Sequence, residues 1–352
     1  MAQTLPSEQA MAQTIPSELV ARAPLAGGAA PRAVRAAPYS IAVEVPSNRL
    51  TSAELAERLG VSEDWIVSRT GVRERPVAAP EERLSDYAAR VGAAALERAG
   101  VDPADVDLVI VATMTEDELT PNTAPLVAHA IGADRAGAFD VGAACTAWLS
   151  ALAIGAAQIE TGRCRWALVV GADFISRITN WEDKRSAPLF ADGAGAAVLG
   201  PAAGEYGAIG PIVLGADGSD AARSIVIDHS DRKIRMNGPE VYRHAVARMA
   251  ESALAAVERA GLTLQDIDLF VFHQANARIT RALGERLGLD PERVVDCIEK
   301  LGNSSAATLP LGLATAERDG RLRPGTRVLL GAFGGGFTWG GGVIEWGGRG
   351  DE

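Results

Sequence analysis

An α/β fold built from two homologous halves is predicted by three observations. First, four short apolar runs read as strands buried on both faces: Asp107-Leu-Val-Ile-Val-Ala-Thr113, Trp166–Val170, Leu269–Phe272 and Val328–Leu330. Second, helical segments separate these runs, and strands alternating with helices imply a parallel sheet with right-handed crossovers. Third, Ala94-Ala-Leu-Glu-Arg-Ala-Gly100 recurs as Ala255-Ala-Val-Glu-Arg-Ala-Gly261. Each copy leads through a loop into a strand pattern, Asp105-Val-Asp-Leu-Val-Ile-Val111 or Asp266-Ile-Asp-Leu-Phe-Val-Phe272. Gly100 and Gly261 are 161 residues apart, and so are Asp105 and Asp266. A helix–loop–strand match in one register marks a duplication, with a possible cleft between the halves.

Composition bounds the function. The 352 residues carry 34 Lys and Arg against 45 Asp and Glu, a net charge of −11, with 47% apolar residues. Wholesale disorder is excluded. An acidic chain is a poor grip for nucleic acid, because phosphates need a basic surface. No run approaches the roughly 18 apolar residues of a membrane span. The cysteines, Cys145, Cys164 and Cys297, lack CxxC or metal spacing. They fit a reducing cytoplasm better than a disulfide framework, and no metal site is expected.

Residues 1–34 read as a disordered leader with a near-repeat, Met1-Ala-Gln-Thr-Leu-Pro-Ser-Glu8 and Met11-Ala-Gln-Thr-Ile-Pro-Ser-Glu18. Residues 35–200 form the first half, 201–346 the second, and 347–352 a tail. Thr51 with Glu54 is a capping box opening a short helix that Gly60 closes. Ser85–Ala99 reads as an Ala-rich helix capped by Gly100. A strand ends near Val141, small residues follow, and an apolar helix runs to about Glu160.

This last segment places Cys145, in Phe139-Asp-Val-Gly-Ala-Ala-Cys-Thr-Ala-Trp148, at a strand-to-helix turn. Unsatisfied N–H groups at a helix start favour thiolate over thiol, so Cys145 is a candidate nucleophile. A buried structural cysteine is the equal alternative, and for Cys164 and Cys297 it is the preferred one. His273 ends the run Leu269–Phe272 and opens His273-Gln-Ala-Asn276, where ligands of parallel sheets bind. His129, His229 and His244 read as structural or solvated. Asn303 lies in Leu301-Gly-Asn-Ser-Ser-Ala-Ala307, where a helix cap is the simpler role. Gly331-Ala-Phe-Gly-Gly-Gly-Phe-Thr-Trp-Gly340 lets backbone approach a ligand closely. Neither it nor Asp192-Gly-Ala-Gly-Ala196 has nucleotide-loop spacing.

Together these segments resemble β-ketoacyl-acyl-carrier-protein synthase III, a branch of the thiolase-fold condensing enzymes. The resemblance spans about residues 35–346. It rests on Trp65-Ile-Val-Ser-Arg-Thr-Gly-Val-Arg-Glu-Arg75, the Cys145 segment, Phe190-Ala-Asp-Gly-Ala-Gly195, His273-Gln-Ala-Asn276, Gly302-Asn-Ser-Ser-Ala-Ala307 and Ala332-Phe-Gly-Gly-Gly-Phe-Thr-Trp-Gly340. It implies a duplicated five-layer αβαβα fold, usually a homodimer. It also implies decarboxylative condensation of an acyl-CoA starter with malonyl-acyl carrier protein, priming fatty-acid or polyketide synthesis. Cys145 would take the acyl group, and His273 and Asn303 would bind the malonyl thioester carbonyl. The backbone N–H groups of Cys145 and Gly335 would form the oxyanion hole. Trp65, Arg69, Lys184 and Asn276 would bind coenzyme A. Gln274 and Arg278 would dock the carrier protein, with Arg281 and Arg286 on the same helix. Thr120 would sit at the partner-chain position that limits the acyl pocket, its small side chain leaving room for branched or longer starters. Coenzyme A thioester enters as substrate, and no metal or redox cofactor is implied.

The sequence departs from the family at Ser40-Ile-Ala42, where Gly-x-Gly is usual, at Lys184, where an arginine is usual, and at Ala191. The alternative functions are an acyltransferase on the same scaffold serving an alcohol or amine, a Cys–His thioesterase, and a non-catalytic binder.

Overall fold

The computed structural model describes residues 34–203 and 206–348. The expected leader, Val34 apart, lies outside them, as does the tail beyond Gly348. The first half runs β1 (Ala36–Glu44), β2 (Arg49–Thr51), α1 (Ser52–Leu59), α2 (Glu63–Thr70), β3 (Glu74–Pro76), α3 (Leu84–Ala99), β4 (Leu108–Ala112), α4 (Thr123–Ile131), β5 (Gly137–Val141), α5 (Ala147–Glu160), β6 (Ala167–Phe174) and β7 (Asp192–Pro201). The second runs β8 (Ala208–Ala216), β9 (Ile225–Ile227), β10 (Ile234–Met236), α6 (Gly238–Arg259), β11 (Leu269–Phe272), α7 (Ala277–Leu287), α8 (Ile298–Leu301), α9 (Thr308–Arg318), β12 (Arg327–Gly334) and β13 (Thr338–Glu345).

Two sheets form the frame, with strand orders β1-β7-β6-β4-β5 and β11-β12-β13-β8. They are mixed, which corrects the parallel expectation. β4 pairs parallel with β5 and β6, and β11 with β12, but β7 and β13 return antiparallel. The reason is local. β12 and β13 are joined by a tight glycine turn and β6 and β7 by an irregular loop, so no helix crosses over.

The apolar runs divide their side chains between two layers, as a strand's two-residue period requires. Val109 and Val111 pack outward with Leu84, Val91 and Leu96 of α3 and Val127 of α4. Ile110 packs inward with Trp148 and Leu152 of α5. Val271, Val328 and Leu330 of the second sheet join that same inner cluster, with Leu309 and Leu313 of α9. Phe270, Phe272 and Leu329 face the opposite way, onto α6 and α7. The layers are therefore α3/α4, sheet, α5/α9, sheet, α6/α7: a thiolase-like αβαβα stack, with α5 and α9 buried in its middle.

The repeat is visible in three dimensions. Each copy ends a helix at Gly100 or Gly261, makes one 3₁₀ turn (Pro103–Asp105, Leu264–Asp266) and enters β4 or β11. Local capping follows the expected chemistry at α1. The Thr51 hydroxyl accepts from Glu54 N, Glu54 reaches back to Thr51 N, and Gly60 closes the helix at φ 64°. α3 starts at Leu84 because the distant Asp117 carboxylate accepts from Leu84 N and Ser85 N at 3.0 and 2.8 Å.

Candidate active site

Cys145 sits where β5 gives way to α5. The chain leaves β5 at Val141, passes Gly142 and Ala143, and makes a 3₁₀ turn over Ala144–Thr146 with Ala144 at φ 47°. A left-handed φ on a non-glycine residue is sparsely populated and persists only where neighbours impose it. Here they do: Thr146 Oγ1 donates to Ala143 O at 2.7 Å, and Thr338 Oγ1 on β13 donates to the same carbonyl at 3.0 Å. On its far side Gly334 presses so close that a Cβ there would lie 2.7 Å from Cys145 N.

His273 follows β11, held by its N–H donating to Gly331 O at 2.8 Å, with its ring 1% exposed. Its Nδ1 lies 2.6 Å from Thr308 Oγ1 at the start of α9. Asn303 is pinned through its backbone: its N–H donates to Leu189 O and its carbonyl accepts from Ala191 N, both at 2.9 Å. Its side-chain Oδ1 accepts from Ser305 N at 2.9 Å, which orients the amide and leaves the NH₂ as donor.

Cys145, His273 and Asn303, far apart in sequence, line one cavity of about 720 Å³. All three are buried. Trp65, Arg69, Lys184, Arg185, Asn276 and Arg278 line it too, and Arg69, Lys184, Arg185 and Arg278 are exposed. Four cations and no carboxylate line a cavity in a chain of net charge −11. Such an arrangement concentrates anionic ligands at its mouth. Phe190, Ile234, Met236, Met249 and Phe333 give the interior an apolar wall.

The electrostatics revise one expectation. Burial pushes the Cys145 thiol up to about 12; the nearby Ser305 hydroxyl opposes this and the Asp173 charge adds to it. The resting residue is a thiol, because desolvation outweighs the helix start. In the resting geometry Ser305 Oγ has no hydrogen-bond partner, and its hydroxyl opposes the shift by donating to the sulfur once that is ionised. Burial also depresses His273 to about 3, so its imidazole is neutral. Asp173, itself raised by burial, accepts from Thr113 Oγ1, Thr115 Oγ1, Met114 N and Ala306 N.

The remaining residues fall as follows. Arg69 stacks its guanidinium 4.5 Å over the Trp65 ring. Asn276 caps α7, its Nδ2 donating to Arg69 O at 3.0 Å and its Oδ1 accepting from Arg278 N at 2.8 Å. Gly335 lines the cavity beside Ala144. Arg278, Arg281 and Arg286 are exposed on α7. Thr120 is exposed in the loop before α4 and does not line the cavity.

Gln274 requires correction. It is 1% exposed, its Nε2 donates to Phe272 O and Val295 O, and its Oε1 accepts from Cys297 N. Turned inward and fully engaged, it cannot meet a carrier protein; it tethers the loop after β11.

Sequence reasoning missed the β9–β10 hairpin, whose Ile225, Val226 and Ile227 line the cavity. Its only signal was two short apolar runs about a polar turn. It missed Thr308 and Asp173 as well. Among the described residues no three His, Cys, Asp or Glu side chains gather as a metal would require.

Comparison with known proteins agrees with this fold. Residues 139–218 match the family model described as 3-oxoacyl-acyl-carrier-protein (ACP) synthase III, and residues 257–346 match its C-terminal counterpart. A β-ketoacyl-acyl-carrier-protein synthase III of Symbiobacterium thermophilum is 42% identical over 320 residues, covering 87% of this chain and 97% of that protein. The crystal structure of 3-oxoacyl-acyl-carrier-protein synthase III from Aquifex aeolicus superposes with a TM-score of 0.86 at 36% identity, over 88% of this chain and 100% of that one. The priming β-ketosynthase from the R1128 polyketide biosynthetic pathway gives 0.86 at 36% identity, over 91% and 99%.

Proposed function

This chain belongs to the β-ketoacyl-acyl-carrier-protein synthase III family, condensing transferases that use acyl-CoA and malonyl-acyl carrier protein, and on that premise we propose how its own residues divide the reaction. Cys145 Sγ attacks the acyl-CoA thioester, the acyl–sulfur bond to coenzyme A breaks, and the thiol proton leaves on the coenzyme A sulfur. Malonyl-acyl carrier protein then enters and its carboxylate departs as CO₂. The electron pair moves onto the thioester oxygen as an enolate, between His273 Nε2–H and Asn303 Nδ2–H. Two neutral donors in a dry, apolar site stabilise that charge far better than they would in water. The enolate carbon attacks acyl-Cys145. The second oxyanion sits on the backbone N–H groups of Cys145 and Gly335. Cys145 thiolate leaves, regains a proton from solvent, and 3-oxoacyl-acyl carrier protein is released. The scheme balances without a metal or redox cofactor.

The observation that carries this reading is the convergence of a buried thiol, a neutral imidazole and an oriented amide on one cavity. An amide donor at Asn303, with no carboxylate lining the cavity, favours condensation over transfer to an alcohol or amine, which must lose a proton. Arg69, Lys184 and Arg185 suit the phosphates of coenzyme A, the Trp65 ring its adenine, and Asn276 the pantetheine beyond. Arg278 suits an acidic carrier protein.

A homodimer accords with the exposed edge of β5. There the first sheet ends, and Phe139 and the neighbouring loop residue Leu119 are 40% and 71% exposed. Pairing there would carry Thr120 of each protomer towards the other's cavity. A cytoplasmic setting suits three unpaired thiols. The test is CO₂ release from malonyl-acyl carrier protein with and without a panel of acetyl-, isobutyryl- and hexanoyl-CoA. Primer-dependent release with 3-oxoacyl products by mass spectrometry supports the reading. Primer-independent release, or free acid as product, overturns it.

A further inference from the structure

We propose that Thr308 is a positioning residue that fixes the tautomer of His273, its hydroxyl donating to Nδ1 so that Nε2 carries the proton into the cavity. A neutral imidazole holds one N–H, and which nitrogen bears it is set by the partner of the other. His273 is neutral because it is buried. The partner of Nδ1 is Thr308 Oγ1, at 2.6 Å.

That hydroxyl has one proton and two acceptors within reach, His273 Nδ1 and Ser305 O, the latter at 2.9 Å. The Ser305 carbonyl already accepts Thr308's own backbone N–H, closing the 3₁₀ turn before α9. It is satisfied without the hydroxyl. Nδ1 has no other partner among the described hydrogen bonds, so the hydroxyl either donates to it or accepts its N–H while donating to Ser305 O; the nitrogen is the nearer of the two acceptors, and the carbonyl is already served. The proton therefore goes to the nitrogen. Thr308 in turn is held by the turn that begins at Ser305, the residue whose N–H orients the Asn303 amide. One turn of backbone thus sets both donors.

The inference rests on the proposed role of His273 as a donor to the enolate, and the test separates the two. Protein labelled with ¹⁵N-histidine is read by long-range ¹H–¹⁵N correlation, the His273 signals being assigned by their loss in His273→Ala. The wild type is expected to show the Nε2–H form. Thr308→Val, which swaps the hydroxyl for a methyl, is expected to yield a mixture or the Nδ1–H form, and Thr308→Ser to restore the wild-type spectrum. In single-turnover assays Thr308→Val should acylate Cys145 within about twofold of wild type. It should release CO₂ about tenfold more slowly, the size of one lost hydrogen bond. A wild-type Nδ1–H form, or a spectrum unmoved in folded Thr308→Val, overturns the inference. If instead the spectrum shifts as expected while CO₂ release does not, the tautomer assignment stands and the donor role of His273 fails.

Discussion

α5 and α9 begin with equivalent turns. Ala144 and Ser305, 161 residues apart like the repeat itself, hold left-handed φ angles of 47° and 50° as the first residues of a single 3₁₀ turn. Opposite each turn a strand position faces the next residue's amide: Asp173 in β6 and, 161 residues on, Gly334 in β12. Ala306 N donates to Asp173 Oδ2 at 3.1 Å. At the matching Cys145 N there is no side chain, only the space where a Cβ of residue 334 would stand at 2.7 Å. The duplicated unit thus offers an oxygen-binding amide twice. One is filled permanently by a carboxylate and locks the Asn303 loop to the first half. The other is kept open, and in the proposed reaction it receives an oxyanion. The same strained backbone serves structure in one half and chemistry in the other.

The largest effect should come from closing the open amide. Gly334→Ala, whose Cβ would stand 2.7 Å from Cys145 N, is expected to lower condensation about 10²–10³-fold, the usual cost of one oxyanion donor, and, because that contact is with backbone, to lower the melting temperature as well. Near-normal turnover would show that no oxyanion binds at Cys145 N.

Opening the filled amide should cost stability instead. Asp173→Ala strands the Thr113 and Thr115 hydroxyls and the N–H groups of Met114 and Ala306. Denaturant titration should register a loss of about 3 kcal/mol, with Asp173→Asn intermediate. A loss below about 0.5 kcal/mol would mean that the carboxylate is not what locks the loop.

Both fully buried carboxylates among the described residues, Asp173 and Asp192, belong to the first half. Burial raises Asp192 to about 6, although Ser176 and Ala78 donate to it. A raised acid holds its proton longer folded than unfolded. Its contribution is therefore fullest below the unfolded value near 4 and is lost as pH rises to about 6, worth about 2–3 kcal/mol. Asp192→Asn should flatten that part of the stability curve, whereas an unchanged slope would place the titration elsewhere.

The remaining effect concerns the thiol. With Cys145 pushed up to about 12 by burial, alkylation by iodoacetamide should keep accelerating from pH 7 to 10. A plateau near neutrality would mean that the helix start prevails over desolvation.

Much of the frame was legible because burial on both faces leaves continuous apolar runs. β4, β11 and the strand ends at Val141 and Phe272 fall within a residue or two of expectation, and with them Cys145 and His273. The heptapeptide repeat was legible, but the equivalence of Ala144 with Ser305 and of Asp173 with Gly334 was not. Their side chains differ entirely and only the backbone is shared. Gln274 misled through adjacency: one residue beyond His273, the chain turns it inward. Asp117 capping α3 from 33 residues away left no local mark. Thr308 reads as an ordinary helix-start residue until the imidazole beside it is seen.

The most direct measurement follows acylation and decarboxylation separately in single turnovers, by intact-protein mass spectrometry and labelled CO₂ release, for the wild type, His273→Ala and Asn303→Ala. All three proteins should carry the acyl group on Cys145, while CO₂ release in both variants falls about 10²–10³-fold. Loss of acylation with decarboxylation intact in either variant would contradict the account.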